Sequence, residues 1–428
     1  MIVLAQDRLT QTKTARKWLW GIFLLALALR LVYALLAPQV DPFLKADPLH
    51  GDAASYDRIA RNLLAGYGFA SSPGQPTAFW PPLYPLFLAV LYRLFGYHLL
   101  WARLAQAILG AIAVAATAEA ANIVLGRRVA LLTALGMALY PHLIYFGAWL
   151  IAEALYMALL GLSLWVAASL QRQPRRSGFV ALGVLLGLGA LAKPAGLMLL
   201  PLVALWVWIA PPARTWRDRL LACLLVLLAA AAVITPWTVR NYLVFHAWVP
   251  ISTNGGYTFY GANNADAFGG HREGFPPPLK GLSEPQAERA YYRLGMEWIV
   301  HHPSDFARLT LRKLARLFSP LSVASYEHDY PLPMAGLVKG GYTAFLLLAF
   351  AGSVLLWQRW REVAIFSALI IRVLMGAAIF YGDARYTLPM VPSLVLFASA
   401  AFVWMHDRCY ARQVVFAPQS KPDREDKR

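Results

Sequence analysis

Five charged residues stand where long apolar stretches of the chain begin or end: Asp52, Glu153, Lys193, Arg240 and Arg385. Their types suit one kind of chemistry. A carboxylate accepts a proton from an attacking hydroxyl. Ammonium and guanidinium groups hold phosphate, the planar guanidinium through paired hydrogen bonds. Each residue also has a plainer use. Asp52 follows Gly51 at the start of a helical pattern, where aspartate caps a helix. Glu153 lies in Trp149-Leu150-Ile151-Ala152-Glu153-Ala154-Leu155. A carboxylate in such a run costs about 2.5–3.5 kcal/mol on insertion scales and calls for a partner, in a salt bridge between helices or in a substrate site. Lys193, in Ala192-Lys193-Pro194-Ala195-Gly196, either snorkels toward headgroups or meets an anion. Arg240 and Asn241 follow Pro236-Trp237-Thr238-Val239, and Arg385 lies in Gly382-Asp383-Ala384-Arg385-Tyr386. One such arginine alone is a headgroup contact. Lys193, Arg240 and Arg385 gathered at one level would form a basic pocket with Asp52 and Glu153 at its mouth, suited to a phosphate-bearing lipid.

Other chemistry has no signature here. There is no Gly-rich nucleotide loop, no Walker motif and no metal-ligand spacing. His301 and His302 are adjacent instead of i, i+4, and Glu327-His328-Asp329 reads better as a solvated loop than as a metal site. No cofactor is expected, and nothing signals a divalent metal. Cys223 lies in an apolar run and Cys409 near the C-terminus, so neither a disulfide nor thiol chemistry is expected.

The elements that position these residues follow from composition. Of 428 residues 59% are hydrophobic and 14% charged, against about 25% charged in soluble domains. A disordered chain and an ordinary cytosolic enzyme are excluded. An all-α polytopic membrane protein is expected. The net charge of +17 is carried in short gaps between apolar runs. That is the pattern of membrane topology and not of a DNA-binding face.

Ten spans are expected, at about 18–36, 99–121, 129–146, 148–169, 179–193, 195–210, 219–236, 337–357, 363–381 and 386–405. The first is read as an uncleaved span and not a signal peptide. The runs 179–193 and 195–210 fall short of a ~30 Å hydrocarbon core, so the Lys193 turn between them should lie below the outer surface. The intervals assigned inside, including residues 1–17 and the tail 406–428, hold 20 Lys and Arg. This excess puts both termini in the cytoplasm. The organisation is then an N-terminal bundle 18–236 with a first outer loop 38–98, an outer loop region 237–336, and C-terminal spans 337–405. A bacterial inner membrane is the expected setting, with the site facing the periplasm or exterior.

In the first outer loop, Tyr56, Ile59, Ala60, Leu63 and Leu64 have helical spacing, with Asp57, Arg58 and Arg61 elsewhere around the helix. A short amphipathic surface helix is expected. Pro76–Pro85 holds four prolines and forces an extended path. Leu86–Phe95 is too short to cross and reads as interfacial or re-entrant. Trp80 and Tyr84 suit an interface belt, and with Asn241, Asn254, Asn263 and Tyr386 they are candidates for a substrate pocket. The outer loop 250–335, with an amphipathic helix within Pro285–Phe318, would cover the site.

An ordered set of local motifs resembles the polyprenyl-phosphate-dependent glycosyltransferases of the GT-C fold, of the protein O-mannosyltransferase and aminoarabinose-transferase type. The set comprises Asp52 with Gly66-Tyr67-Gly68, Pro76-Thr77-Ala78 with Pro81-Pro82-Leu83-Tyr84-Pro85, Tyr140-Pro141 with Glu153-Ala154-Leu155, and Lys193-Pro194. It continues through Pro236-Trp237 with Arg240-Asn241, Ser252–Gly256 with Gly261–Asn264, and Arg385-Tyr386 with Pro389 and Pro392. The resemblance covers about 50–395. It implies a GT-C-type bundle of about ten spans with outer-face amphipathic helices and a long outer loop. It also implies transfer of a sugar from a polyprenyl-phosphate donor to an acceptor hydroxyl on a lipid, glycan or protein, with inversion. Asp52 matches the acidic residue expected to act as base, and Glu153 a second acidic position. Lys193, Arg240 and Arg385 match positions expected near the lipid phosphate. Two features depart from the pattern. Trp80 precedes the Pro-Pro pair where the aminoarabinose branch commonly has lysine, and Gly51-Asp52-Ala53 replaces the Asp-Glu pair of protein mannosyltransferases.

Two rivals remain. A secondary transporter or flippase of a lipid-linked or anionic substrate would place charges near the midplane, often in inverted repeats, whereas these charges lie at the outer edge and no repeat is visible. An oligosaccharide ligase or polymerase would do related chemistry on another fold.

Overall fold

The computed structural model describes residues 13–49, 51–212, 215–272, 274–319 and 332–415. The Glu327-His328-Asp329 triplet and the tail beyond 415 lie outside them. The helices run in the order α1 (Lys13–Val40), α2 (Pro42–Ala46), α3 (Asp52–Leu64), α4 (Leu83–Phe95), α5 (Leu99–Leu125), α6 (Arg127–Leu139), α7 (Pro141–Ala148), α8 (Glu153–Arg172) and α9 (Arg176–Ala192). They continue as α10 (Leu199–Ile209), α11 (Trp216–Phe245), α12 (Asn254–Ala262), α13 (Glu284–His301), α14 (Pro303–Leu317), α15 (Leu332–Leu355), α16 (Trp360–Ile379) and α17 (Val391–Val415). A short antiparallel ribbon, Ala70–Ser72 with Gln75–Pro76, closes the first outer loop.

All ten expected spans are helical. Among the described residues, seven helices are long and apolar enough to cross a membrane, and an eighth is the pair α6–α7, bent by 47°. The protein is thus a multi-pass integral membrane protein. The other two expected spans are α9 and the Pro194–Ile209 segment, apolar but shorter than that length, which corrects the count of ten.

The bend in α6–α7 has a local cause. Pro141 has no N–H to give the Met137 carbonyl, so a helix through this point loses a bond. Arg30, 4% exposed in α1, supplies it: Nη2 donates to Met137 O at 3.2 Å and Nη1 to Ala138 O at 3.3 Å. Non-helical backbone at this depth needs such partners. The next irregular stretch is held in the same way. Gln106 Nε2 donates to Gly147 O and Trp149 O at 2.9 and 2.7 Å, and Arg103 Nε to Ala148 O at 3.2 Å. The Gln106 carbonyl in turn accepts the Tyr84 hydroxyl. These bonds fix the point at which α8 begins, at Glu153.

Glycine sets the approach of α9 to α11. A Cβ on Gly183 would sit 2.3 Å from Val226 O, and one on Gly187 2.9 Å from Ala230 O. Small residues four apart let two spans pack backbone to backbone. Outside the bundle, α3 buries Ala53, Tyr56, Ile59 and Ala60. Asp57, expected on its polar side, is fully buried. It accepts Tyr92 Oη at 2.9 Å and Arg61 Nε at 2.8 Å, and so pins α3 to α4. The expected helix within Pro285–Phe318 is two, α13 and α14, parted at Pro303.

Candidate active site

Four of the five charged residues come together. Asp52 is the first residue of α3, with Gly51 in the cap position at φ 62°. That left-handed backbone favours glycine. The Asp52 carboxylate therefore does not cap the helix. It accepts Arg385 Nη2 at 2.7 Å. Arg385 Nε donates to Glu153 Oε1, and Lys193 Nζ donates to the same oxygen at 2.6 Å. The order Asp52–Arg385–Glu153–Lys193 is one continuous chain of ion pairs. Each is presented by an element boundary or a short helix: Glu153 opens α8, Lys193 follows α9 as its C-cap, and Arg385 lies in the short 3-10 helix Ala384–Met390.

Exposure differs along the chain. The Asp52 side chain is 30% exposed, Arg385 27% and Lys193 22%, while Glu153 is 4% exposed. The innermost carboxylate is thus sealed and holds two cations. The outermost is open to solvent, where a general base is needed. Glu153 Oε2 meets no donor among the described residues. Glu153 also lines a cavity of about 20 Å³ shared with Arg30, Met137 and Leu388, enough for about one water molecule. An ammonium has three donors and a guanidinium five. Lys193 and Arg385 therefore keep N–H groups for an incoming anion.

Tyr56 forms the wall beside Asp52. Burial holds its phenol well above the usual value, with Asp52 and Glu153 adding to the effect, so it stays neutral. Its ring meets Trp80 at 5.1 Å and Tyr84 at 5.0 Å, edge on. Trp80 continues to Phe79 and Phe79 to Tyr257, at 5.2 and 5.7 Å. Tyr386 is half-buried and stacks on Tyr381.

The remaining candidates lie elsewhere. Arg240 does not join the cluster. It donates to Thr77 O and Phe69 O at 2.8 Å and packs over Trp237 at 4.8 Å. Its guanidinium clamps the first outer loop to α11 and is spent there. Asn241 is fully buried and donates to Val249 O and Ile251 O. Asn263, also fully buried, donates to Phe259 O and Ile379 O and accepts Lys313 Nζ at 2.7 Å. The Tyr84 hydroxyl points to Gln106, inside the bundle. Asn254 opens α12 and accepts Ser252 Oγ at 2.8 Å. Among the described residues no three His, Cys, Asp or Glu side chains gather as metal ligands.

The outer loop is locked onto this site from two sides. Glu284 at the start of α13 accepts Thr77 Oγ1 at 2.7 Å, Ala78 N at 2.8 Å and Thr253 Oγ1 at 3.1 Å. From α14, Arg316 pairs with Asp383 at 3.2 Å, and Gly382 N donates to Gly269 O at 2.9 Å. The turn that carries Arg385 is thereby fixed from outside. Burial raises the Asp383 carboxyl above its usual range, with the bonds from His271 N and Arg316 opposing.

Glu288 of α13 gives a pH test of this packing. Burial lifts its carboxyl from 4.5 to about 7. A raised carboxyl pKa favours the protonated form in the folded protein. The stability it contributes is present at low pH and lost as pH rises through about 7. Glu288→Gln is therefore expected to raise Tm by about 1–2 °C near pH 8.5 and to leave it unchanged near pH 5. Thermal unfolding of both proteins at the two pH values checks this, and an equal shift at both would contradict it.

Residues 80–239 match the family profile of dolichyl-phosphate-mannose-protein mannosyltransferases. That segment contains Glu153 and Lys193 and ends one residue before Arg240. The archaeal oligosaccharyltransferase AglB from Archaeoglobus fulgidus, solved with an inhibitory peptide and a dolichol-phosphate, superposes with a TM-score of 0.58 at 15% identity. The match covers 96% of this chain and 53% of that one. ArnT from Cupriavidus metallidurans, bound to undecaprenyl phosphate, superposes with a TM-score of 0.54 at 19% identity, over 93% of this chain and 62% of that one. The chain thus spans between half and two thirds of these solved chains. No curated protein sequence matches it. The chain shares the GT-C-like fold of these solved structures, and its residues 80–239 resemble the dolichyl-phosphate-mannose-protein mannosyltransferases.

Proposed function

We propose that this protein is an inverting membrane glycosyltransferase. It moves a sugar from a polyprenyl-phosphate donor to a hydroxyl of a lipid, glycan or protein acceptor. The observation that carries this is the ion-pair chain from a partly exposed carboxylate, Asp52, through Arg385 to the buried Glu153 and its partner Lys193. The acceptor hydroxyl attacks the anomeric carbon and gives its proton to Asp52. The bond from that carbon to the phosphate oxygen breaks, and polyprenyl phosphate leaves as an anion. Lys193 and Arg385 stabilise the charge that develops on it. Glu153 keeps both cations in place. The wall of Tyr56 and Trp80 excludes water beside the reacting carbon. Both termini lie in the cytoplasm of a bacterium, and the site opens on the periplasmic or outer face.

The test is product formation by the purified protein with polyprenyl-phosphate sugars and envelope acceptors. Accumulation of glycosylated acceptor supports the proposal. Movement of the lipid between leaflets with no new glycosidic bond would replace it with transport. Lys193→Ala is expected to weaken donor binding by about tenfold or more and acceptor binding by much less. Titration of each substrate against the variant measures both, and unchanged donor affinity would remove Lys193 from the phosphate site.

A further inference from the structure

A third cation stands beside Lys193. Arg372 lies within α16, inside an expected span, and is only 7% exposed. Its Nε donates to Ala195 O at 3.1 Å, two residues beyond Lys193. Its guanidinium lies 5.8 Å from the centre of the Tyr156 ring. Among the described residues no carboxylate pairs with it, and its two Nη atoms make no hydrogen bond. Arg372 and Arg385 are both close enough to Lys193 for their like charges to act on it.

The charges around Lys193 do not balance. Lys193, Arg372 and Arg385 are cations, and Asp52 and Glu153 are the carboxylates that face them. Positive charge is in excess, and Arg30 across the Glu153 cavity, bonded among the described residues only to backbone carbonyls, adds to it. A buried charge is retained where something compensates it, and inside a membrane bundle an unpaired cation marks a substrate or ion site. Arg372 lies seven residues before the end of α16, about 10 Å deeper than that end. A compensating anion must therefore sit below the outer surface, where a phosphate borne on a lipid arrives from the bilayer and a soluble anion does not.

We propose that Arg372 binds the donor phosphate, which lies between the Lys193–Gly196 turn and α16, on the deeper flank of Lys193. This rests on the function proposed above. Lys193 meets the phosphate as a point charge. Arg372 meets it with the two free Nη groups of a fork already oriented by Ala195 O.

The test uses the full-length protein in nanodiscs, titrated with undecaprenyl phosphate and separately with inorganic phosphate. Arg372→Met is expected to weaken undecaprenyl phosphate binding about tenfold or more with Tm preserved, and Arg372→Lys, which keeps the charge but loses the fork, to recover only part of that affinity. Inorganic phosphate is expected to bind far more weakly than the lipid; equal affinities would overturn the lipid assignment. Unchanged lipid affinity in a folded Arg372→Met protein overturns the proposal. Should that variant not fold, the wild-type complex decides: phosphate density out of hydrogen-bond reach of Arg372 overturns it. Weakening by Lys193→Ala alone removes only Arg372, whereas a wild-type protein that binds no undecaprenyl phosphate removes the transferase reading as well.

Discussion

Arg385→Met is expected to lower sugar transfer by roughly 10²–10³-fold or more, the scale seen when one preorganised charge donor is removed. The same change is expected to reduce stability. Among the described residues Arg385 is the only link between Asp52 and Glu153 in the ion-pair chain. Without it Asp52 loses its orienting partner, and the buried Glu153 keeps Lys193 alone. Breaking one member of a buried ionic group leaves charge poorly compensated, and about 2–3 kcal/mol is a reasonable cost here because Lys193 remains. Transfer rate and thermal unfolding on the same purified variant measure the two effects. Near-normal transfer would show that the chain of ion pairs is structural only.

Asp52→Asn is expected to separate the two effects. The amide keeps the size of the side chain and can still accept from Arg385, but it cannot take a proton. Loss of general-base help amounts to about 10²–10⁴-fold. The Asp52–Arg385 pair is partly solvated, and such pairs contribute about 0–1 kcal/mol. Tm should therefore barely move while kcat collapses. A variant that folds and transfers at the wild-type rate would remove Asp52 as the base.

Most of the bundle could be read from apolar runs, because bilayer thickness sets the length of a span. The α3 helix was legible from its spacing, as was the shortness of α9 and the segment after it. The four residues that the structure brings together, Asp52, Glu153, Lys193 and Arg385, stood out because a charge at the end of an apolar run must be explained. Arg240 satisfied the same rule and went elsewhere. A guanidinium looks identical in sequence whether it meets a phosphate or the carbonyls of its own chain, and here Thr77 O and Phe69 O take it. Asn241 and Asn263 likewise give their amides to backbone carbonyls, which their residue type alone does not reveal. Arg372 and Arg30 went unremarked because each was absorbed into a span. A single arginine well inside an apolar run was the signal, and it outweighs one at the edge. Pro141 bends α6–α7 within what reads as one span, 129–146, and nothing local names Arg30, more than a hundred residues away, as its partner.

The most direct measurement is a structure of the full-length protein with a polyprenyl phosphonate sugar that cannot react. The phosphonate is expected on Lys193, with the anomeric carbon turned toward Asp52 and space between them for one hydroxyl. An analogue bound at a distance from all four residues, with the pairs from Asp52 through Arg385 and Glu153 to Lys193 undisturbed, would contradict the assignment of this cluster as the place of transfer.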